Sequence, residues 1–173
     1  MKKVLVCREK DERETRVSLI PDDVKKLISM GFEIKVVSKA GLKSGFSDEA
    51  YKNAGAQIVD SEESAYSDSQ IIVRIMKPES IKGIQKDTLH LSYMDPFNQK
   101  ELLNEFASQG VQAVSLEMIP RTKHEKKMDV QSSQTSLAGY VAVLNAASHL
   151  PKALPMMVTP AGTINPARVF VIG

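Results

Sequence analysis

Short β-rich runs alternate with helical stretches from the amino terminus to residue 116, and this rhythm constrains the chain more than any other feature. Lys3 to Cys7 reads as a strand. Pro21 to Met30 reads as a helix, because proline suits a first turn, Asp22 and Asp23 complement its positive end, and Gly31 stops it. Strands follow at 33–38, 57–59, 70–75, 88–92 and 111–116. Between them lie a helix at 48–54 with Ser47 as N-cap, a helical turn at 62–66, and a helix at 99–108 stopped by Gly110. Strands alternating with helices at this spacing imply right-handed βαβ units and a mostly parallel sheet.

Two segments break the rhythm. Residues 117–129 are polar and basic and read as an extended loop or hairpin. Residues 131–150 read as one long helix, with Val130, Leu137, Val141 and Leu144 at helical spacing and Ala138, Gly139, Ala142, Ala146 and Ala147 between them. Such a helix spans ~30 Å, enough to cross from one domain to another. The proline-dense stretch 151–167 reads as a linker. Residues 168–173 then read as an apolar strand closing on glycine, the way a dinucleotide-binding unit opens.

Composition excludes several classes. Among 173 residues, Lys+Arg is 23 and Asp+Glu is 21, a formal net charge of +2, which argues against nucleic acid as a partner. The single cysteine, Cys7, cannot form an internal disulfide and reads as a buried, inert thiol. His90, His124 and His149 lack metal-ligand spacing, so no metal site is expected. No window approaches the ~18–20 apolar residues of a membrane span, so direct membrane insertion is not expected.

Several motifs carry a family resemblance. Glu14-Thr15-Arg16-Val17-Ser18-Leu19-Ile20-Pro21 and Gly41-Leu42-Lys43-Ser44-Gly45-Phe46-Ser47-Asp48 resemble the amino end of one superfamily. It comprises alanine dehydrogenases and the alpha subunit of proton-translocating NAD(P) transhydrogenase. Pro120-Arg121, Met128-Asp129-Val130-Gln131-Ser132-Ser133-Gln134, Leu137-Ala138-Gly139-Tyr140 and the run from Pro155 to Thr163 are similar to the transhydrogenase branch.

The resemblance implies an α/β chain. A Rossmann-like (flavodoxin-like), mostly parallel sheet flanked by helices would occupy residues 1–130. A connecting helix at 131–150, a linker at 151–167 and the first strand of a truncated NAD-binding Rossmann domain at 168–173 would follow. The chain would be an amino-terminal portion of the NAD(H)-binding subunit, inactive alone. Its cofactor would be NAD (NADH). Its partners would be the NADP(H)-binding and membrane-spanning subunits and a second copy of itself. The assembly would place it in the cytoplasm, peripheral to the inner membrane.

The resemblance also assigns residues. Arg121, Asp129 and Ser132 match family positions beside the nicotinamide and would act in hydride transfer. Thr122, Lys123, His124, Lys126, Val171 and Gly173 would join Arg121, Asp129 and Ser132 in holding the cofactor. Two positions depart from the family pattern: Lys126 replaces a glutamine and His124 an arginine. A lysine donates hydrogen bonds but cannot accept them.

Two rival readings stand beside this one. In the alanine dehydrogenase branch the substrate site resembles an arginine, a lysine and a histidine. Arg16 matches the first, Arg74 stands at the lysine position, and Met94 falls at or near the histidine position. The third reading is a non-enzymatic module that dimerises or binds a partner through its Ala/Gly-rich helix.

Overall fold

The computed structural model describes residues 2–122 and 126–172. The chain divides into two compact units, Met1–Glu125 and Lys126–Gly173.

The first unit is an open sheet of six strands: β1 (Lys3–Val6), β2 (Glu33–Val37), β3 (Gln57–Val59), β4 (Ile71–Val73), β5 (Leu89–Ser92) and β6 (Gln112–Ser115). All five pairings are parallel and the order is β3-β2-β1-β4-β5-β6. Of the two common doubly wound orders this is the Rossmann one, not the flavodoxin one, and it reverses between β1 and β4. The helices are α1 (Pro21–Ser29), α2 (Asp48–Asn53), α3 (Glu63–Tyr66) and α4 (Lys100–Gln109).

Alternation along each strand builds two cores. Val4, Val6, Ile34 and Val36 face one layer, where Val24 of α1 and Tyr51 of α2 pack. Leu5, Cys7, Val37 and Ile72 face the other, with Tyr66 of α3 and Phe106 of α4. Burial on both faces explains why these strands are nearly continuous in apolar residues. The β4–β5 crossover, residues 74–88, contains no regular helix. Ile81 and Ile84 instead plug that face, tied by a backbone bond of 3.0 Å.

Local chemistry sets the boundaries. The Ser47 side chain caps α2 by accepting from the N–H of Ala50, as its position in the sequence indicates. Gly110 ends α4 with a left-handed φ of 67°. Gly41 is required by close approach, since a Cβ there would lie 2.6 Å from the Tyr51 ring. That ring is fully buried, and its hydroxyl donates to the Leu19 carbonyl at 2.9 Å.

Polar groups enter the α3/α4 face. Arg74 is 3% exposed and donates to Glu62 at 3.1 Å. Tyr66 donates to the same carboxylate oxygen at 2.7 Å. His90, on β5, is fully buried with its ring 5.2 Å from that of Phe106. Burial first, and the Arg74 charge second, push its pKa down to about 3. Cys7 is buried as expected, and burial raises its thiol well above the ordinary range.

The second unit contains α5 (Val130–His149) and an antiparallel hairpin, β7 (Met157–Thr159) with β8 (Gly162–Ile164). None of the residues of α5 is buried. The hairpin corrects the linker expectation for 151–167. Its two-residue turn is Pro160-Ala161, and proline at the first central turn position presets φ there. Residues 168–172 carry no strand ladder among the described residues. Val169, Phe170, Val171 and Ile172 are exposed and pair with no neighbouring strand, and an extended segment without a ladder is not a strand. Around residues 117–129 the described backbone makes two 3-10 turns, Leu116–Met118 and Lys126–Met128, rather than a hairpin.

Two stability measurements bear on the buried polar groups. Replacing Glu62 by Gln leaves Arg74 buried without its counter-charge and should destabilise the first unit by about 3–5 kcal/mol. Urea melts check it; a loss below about 1 kcal/mol contradicts the pairing. The depressed His90 pKa means the unfolded chain takes up a proton at higher pH than the folded one. Its contribution is therefore fully present above the ordinary histidine value and lost as pH falls towards about 3. Wild type should lose up to about 1.4 kcal/mol more per pH unit below pH 6 than a His90→Leu variant, measured by melts at pH 7 and pH 5.

Candidate functional site at the carboxyl edge of the sheet

In open α/β sheets ligands bind outside the carboxyl ends of the strands, where the order reverses. Here that is the exit of β1 beside the exit of β4. Glu9 bridges the two exits. Its carboxylate accepts from the N–H of Ile75 at 2.6 Å and of Met76 at 3.2 Å. It is 7% exposed, and burial raises its pKa against the lowering effect of those bonds.

A crevice of about 480 Å³ opens beside it, lined by residues that include Arg8, Glu14, Arg16, Lys39 and Lys43. Arg16 forks onto Glu14, with bonds of 2.8 and 2.6 Å, and that pairing holds the Glu14 carboxyl below its usual range. The β1–α1 connection, residues 7–20, contains no glycine. The first unit thus has the Rossmann strand order without the glycine turn that lets a dinucleotide phosphate approach the backbone.

The residues matching the amino-acid dehydrogenase pattern are otherwise engaged. Arg74 is buried against Glu62. Met94 is 1% exposed and packs in the core with Phe106 and Ile72. Among the described residues, no imidazole follows β5 where that chemistry needs an acid or base. His90 lies within β5 itself, sealed from solvent.

A second carboxylate organises the next exit. Glu117, in the 3-10 turn after β6, accepts from the N–H of Met94 at 2.9 Å and of Asp95 at 2.6 Å. Glu9, Glu62 and Glu117 carry no local motif. Each is defined by a partner distant in sequence, and only the position of Glu9 and Glu117 just past an apolar strand hints at their use.

The expected nicotinamide residues distribute as follows. Arg121 and Thr122 belong to the first unit, exposed, a few residues past the exit of β6. Lys123, His124 and Gly173 lie outside the described residues. Lys126 begins the 3-10 turn before α5. Asp129 is the N-cap of α5, its Oδ1 accepting from the N–H of Ser132 at 2.8 Å. Ser132 is exposed on the first turn of that helix, and Val171 is exposed in the terminal segment.

Known proteins share this fold. The chain is 34% identical to the NAD(P) transhydrogenase subunit alpha of Cereibacter sphaeroides, over 99% of this chain and 33% of that protein. It superposes on the crystal structure of transhydrogenase from Sinorhizobium meliloti with a TM-score of 0.89 and 36% identity, covering 96% of this chain and 50% of that one. It is 29% identical to alanine dehydrogenase of Bacillus subtilis, over 85% of this chain and 38% of that protein. The chain thus spans less than half the length of these curated relatives. The family model described as "Alanine dehydrogenase/PNT, N-terminal domain" matches residues 5–138. The family model and these relatives together show that this chain belongs to the alanine dehydrogenase/PNT N-terminal domain family.

Proposed function

We propose that this chain is the amino-terminal part of the NAD(H)-binding alpha subunit of a proton-translocating transhydrogenase. Such an assembly passes hydride between NAD(H) and NADP(H) and couples the transfer to proton movement across a membrane. The observation that carries the reading is the structural match, a TM-score of 0.89 over 96% of this chain to a transhydrogenase against 0.64 over 68% to an L-alanine dehydrogenase, with sequence identity also higher to the transhydrogenase alpha subunit. The engagement of Arg74 by Glu62 and the burial of Met94 add to it, because they leave amino-acid oxidation without its groups.

Hydride transfer needs no acid, base or nucleophile at the reacting carbon. The protein must orient the nicotinamide and keep water away. The residues present fit a polar nicotinamide edge rather than a phosphate cradle, given the glycine-free β1–α1 connection. The bound nucleotide supplies the hydride. Arg121, on the first unit, would offer the nucleotide a cation and fork donor, and the Ser132 hydroxyl, on α5, would offer a bond to a carboxamide. Asp129 fixes the first turn of α5 beneath Ser132. Thr122, Lys123, His124 and Lys126 extend the same segment, and Val171 and Gly173 open the dinucleotide-binding region that follows. The partners are the NADP(H)-binding and membrane-spanning subunits and a second copy of this chain, which sits peripherally on the cytoplasmic face. Among the described residues no helix is long and apolar enough to cross a membrane.

The test uses the complete assembly. NADH and a spectroscopically distinct NADP analogue should exchange hydride, whereas alanine with NAD should give no turnover and this chain alone should be inactive. Arg121→Ala should weaken NADH binding about 10- to 100-fold, the usual worth of a hydrogen bond to a charged group. Alanine-dependent NAD reduction without exchange overturns the reading.

A further inference from the structure

We propose that Glu117 is a positioning residue for Arg121, clamping the segment that presents the arginine onto the exit of the neighbouring strand. The inference rests on the functional reading above.

Glu117 uses both oxygens. Oε1 accepts from the N–H groups of Met94 and Asp95 at 2.9 and 2.6 Å, and Oε2 accepts from the Ser115 hydroxyl at 2.6 Å. Partial burial pushes its carboxyl upward, but the bonds from Ser115, Asp95 and Met94 outweigh it and hold it below the ordinary range. It therefore stays a full acceptor at neutral pH.

The clamped partner needs an outside hold. Asp95 sits at a left-handed φ of 51°, a conformation that costs a non-glycine residue of order 1 kcal/mol and persists only when neighbours over-determine it. The Asn98 amide donates to its carboxylate at 2.8 Å, so the β5 exit is tied from within and from Glu117.

Stiffness then carries the anchor forward. The N–H of Ile119 closes the 3-10 turn on the Leu116 carbonyl, and Pro120 has a fixed φ. Arg121 follows directly. No side chain of this clamp is assigned to touch the nucleotide. Its work is to set where the arginine begins, and small misplacements of a binding group are expensive in rate and affinity.

The test compares Glu117→Ala, Glu117→Gln and, as a control, Val111→Ala, which removes buried volume from the core. Amide hydrogen exchange at Met94 and Asp95 in this chain reads the clamp. KM for NADH and for the NADP analogue, in the complete assembly, reads its consequence. Glu117→Ala should speed both amides and raise KM for NADH about tenfold, leaving KM for the NADP analogue unchanged. Glu117→Gln, which keeps the shape and one acceptor, should recover some of that loss. Val111→Ala should change neither KM at an equal loss of thermal stability.

Faster exchange with KM for NADH within twofold of wild type overturns the proposal. So does an equal KM rise in Val111→Ala. Failure of wild type to exchange hydride overturns the functional reading itself, and is told apart because it precedes any variant.

Discussion

Strands that all run one way must cover both faces of their sheet, and most of this chain follows from that constraint. Each strand sends alternate residues into different layers, so Val4 and Val6 serve one core while Leu5 and Cys7 serve the other. Each return crossing must supply a lid. Where residues 74–88 offer no helix, Ile81 and Ile84 fill the gap. The same constraint gathers all strand exits at one edge, where backbone N–H groups leave the ladder and need new acceptors. Glu9 and Glu117 meet this need, each receiving two consecutive amides from the adjacent exit.

Charge inside the α3/α4 layer is paired within the first unit. A lysine or arginine that is to meet substrate must reach solvent. Arg74 is only 3% exposed, and it and Tyr66 both donate to the same Glu62 oxygen. Its charge serves the packing of that layer, and the crevice beside β1 is lined by arginines, lysines and glutamates with no imidazole. In the proposed reading catalysis needs none, because positioning alone limits hydride transfer.

Much of the fold is legible in the sequence because it is written in local periodicity. The β3 limits, the Ser47 cap and the Gly110 stop stand where residue chemistry places them. The hairpin at 157–164 is hidden because its prolines look like linker punctuation, although Pro160 starts a tight turn. The apolar run 168–172 favours an extended chain by composition, but only a neighbouring strand makes a ladder. Arg121, Asp129 and Ser132 are proposed through resemblance alone, since nothing in their spacing distinguishes them from a solvated loop and a capped helix. Glu62 stays invisible because its importance comes from Arg74, and that contact exists only once the layers meet.

The cap of α5 bears on how such a chain would drift over generations. Asp129 starts a twenty-residue helix by taking the Ser132 amide, and in the proposed reading the same side chain stands among the nucleotide's neighbours. A lineage that abandoned the nucleotide would still keep an aspartate, asparagine or serine there, because α5 frays without a cap. Persistence of that residue in a descendant therefore says little about whether it still handles hydride. Selection for folding alone is enough to keep a capping side chain there, whether or not it meets a nucleotide.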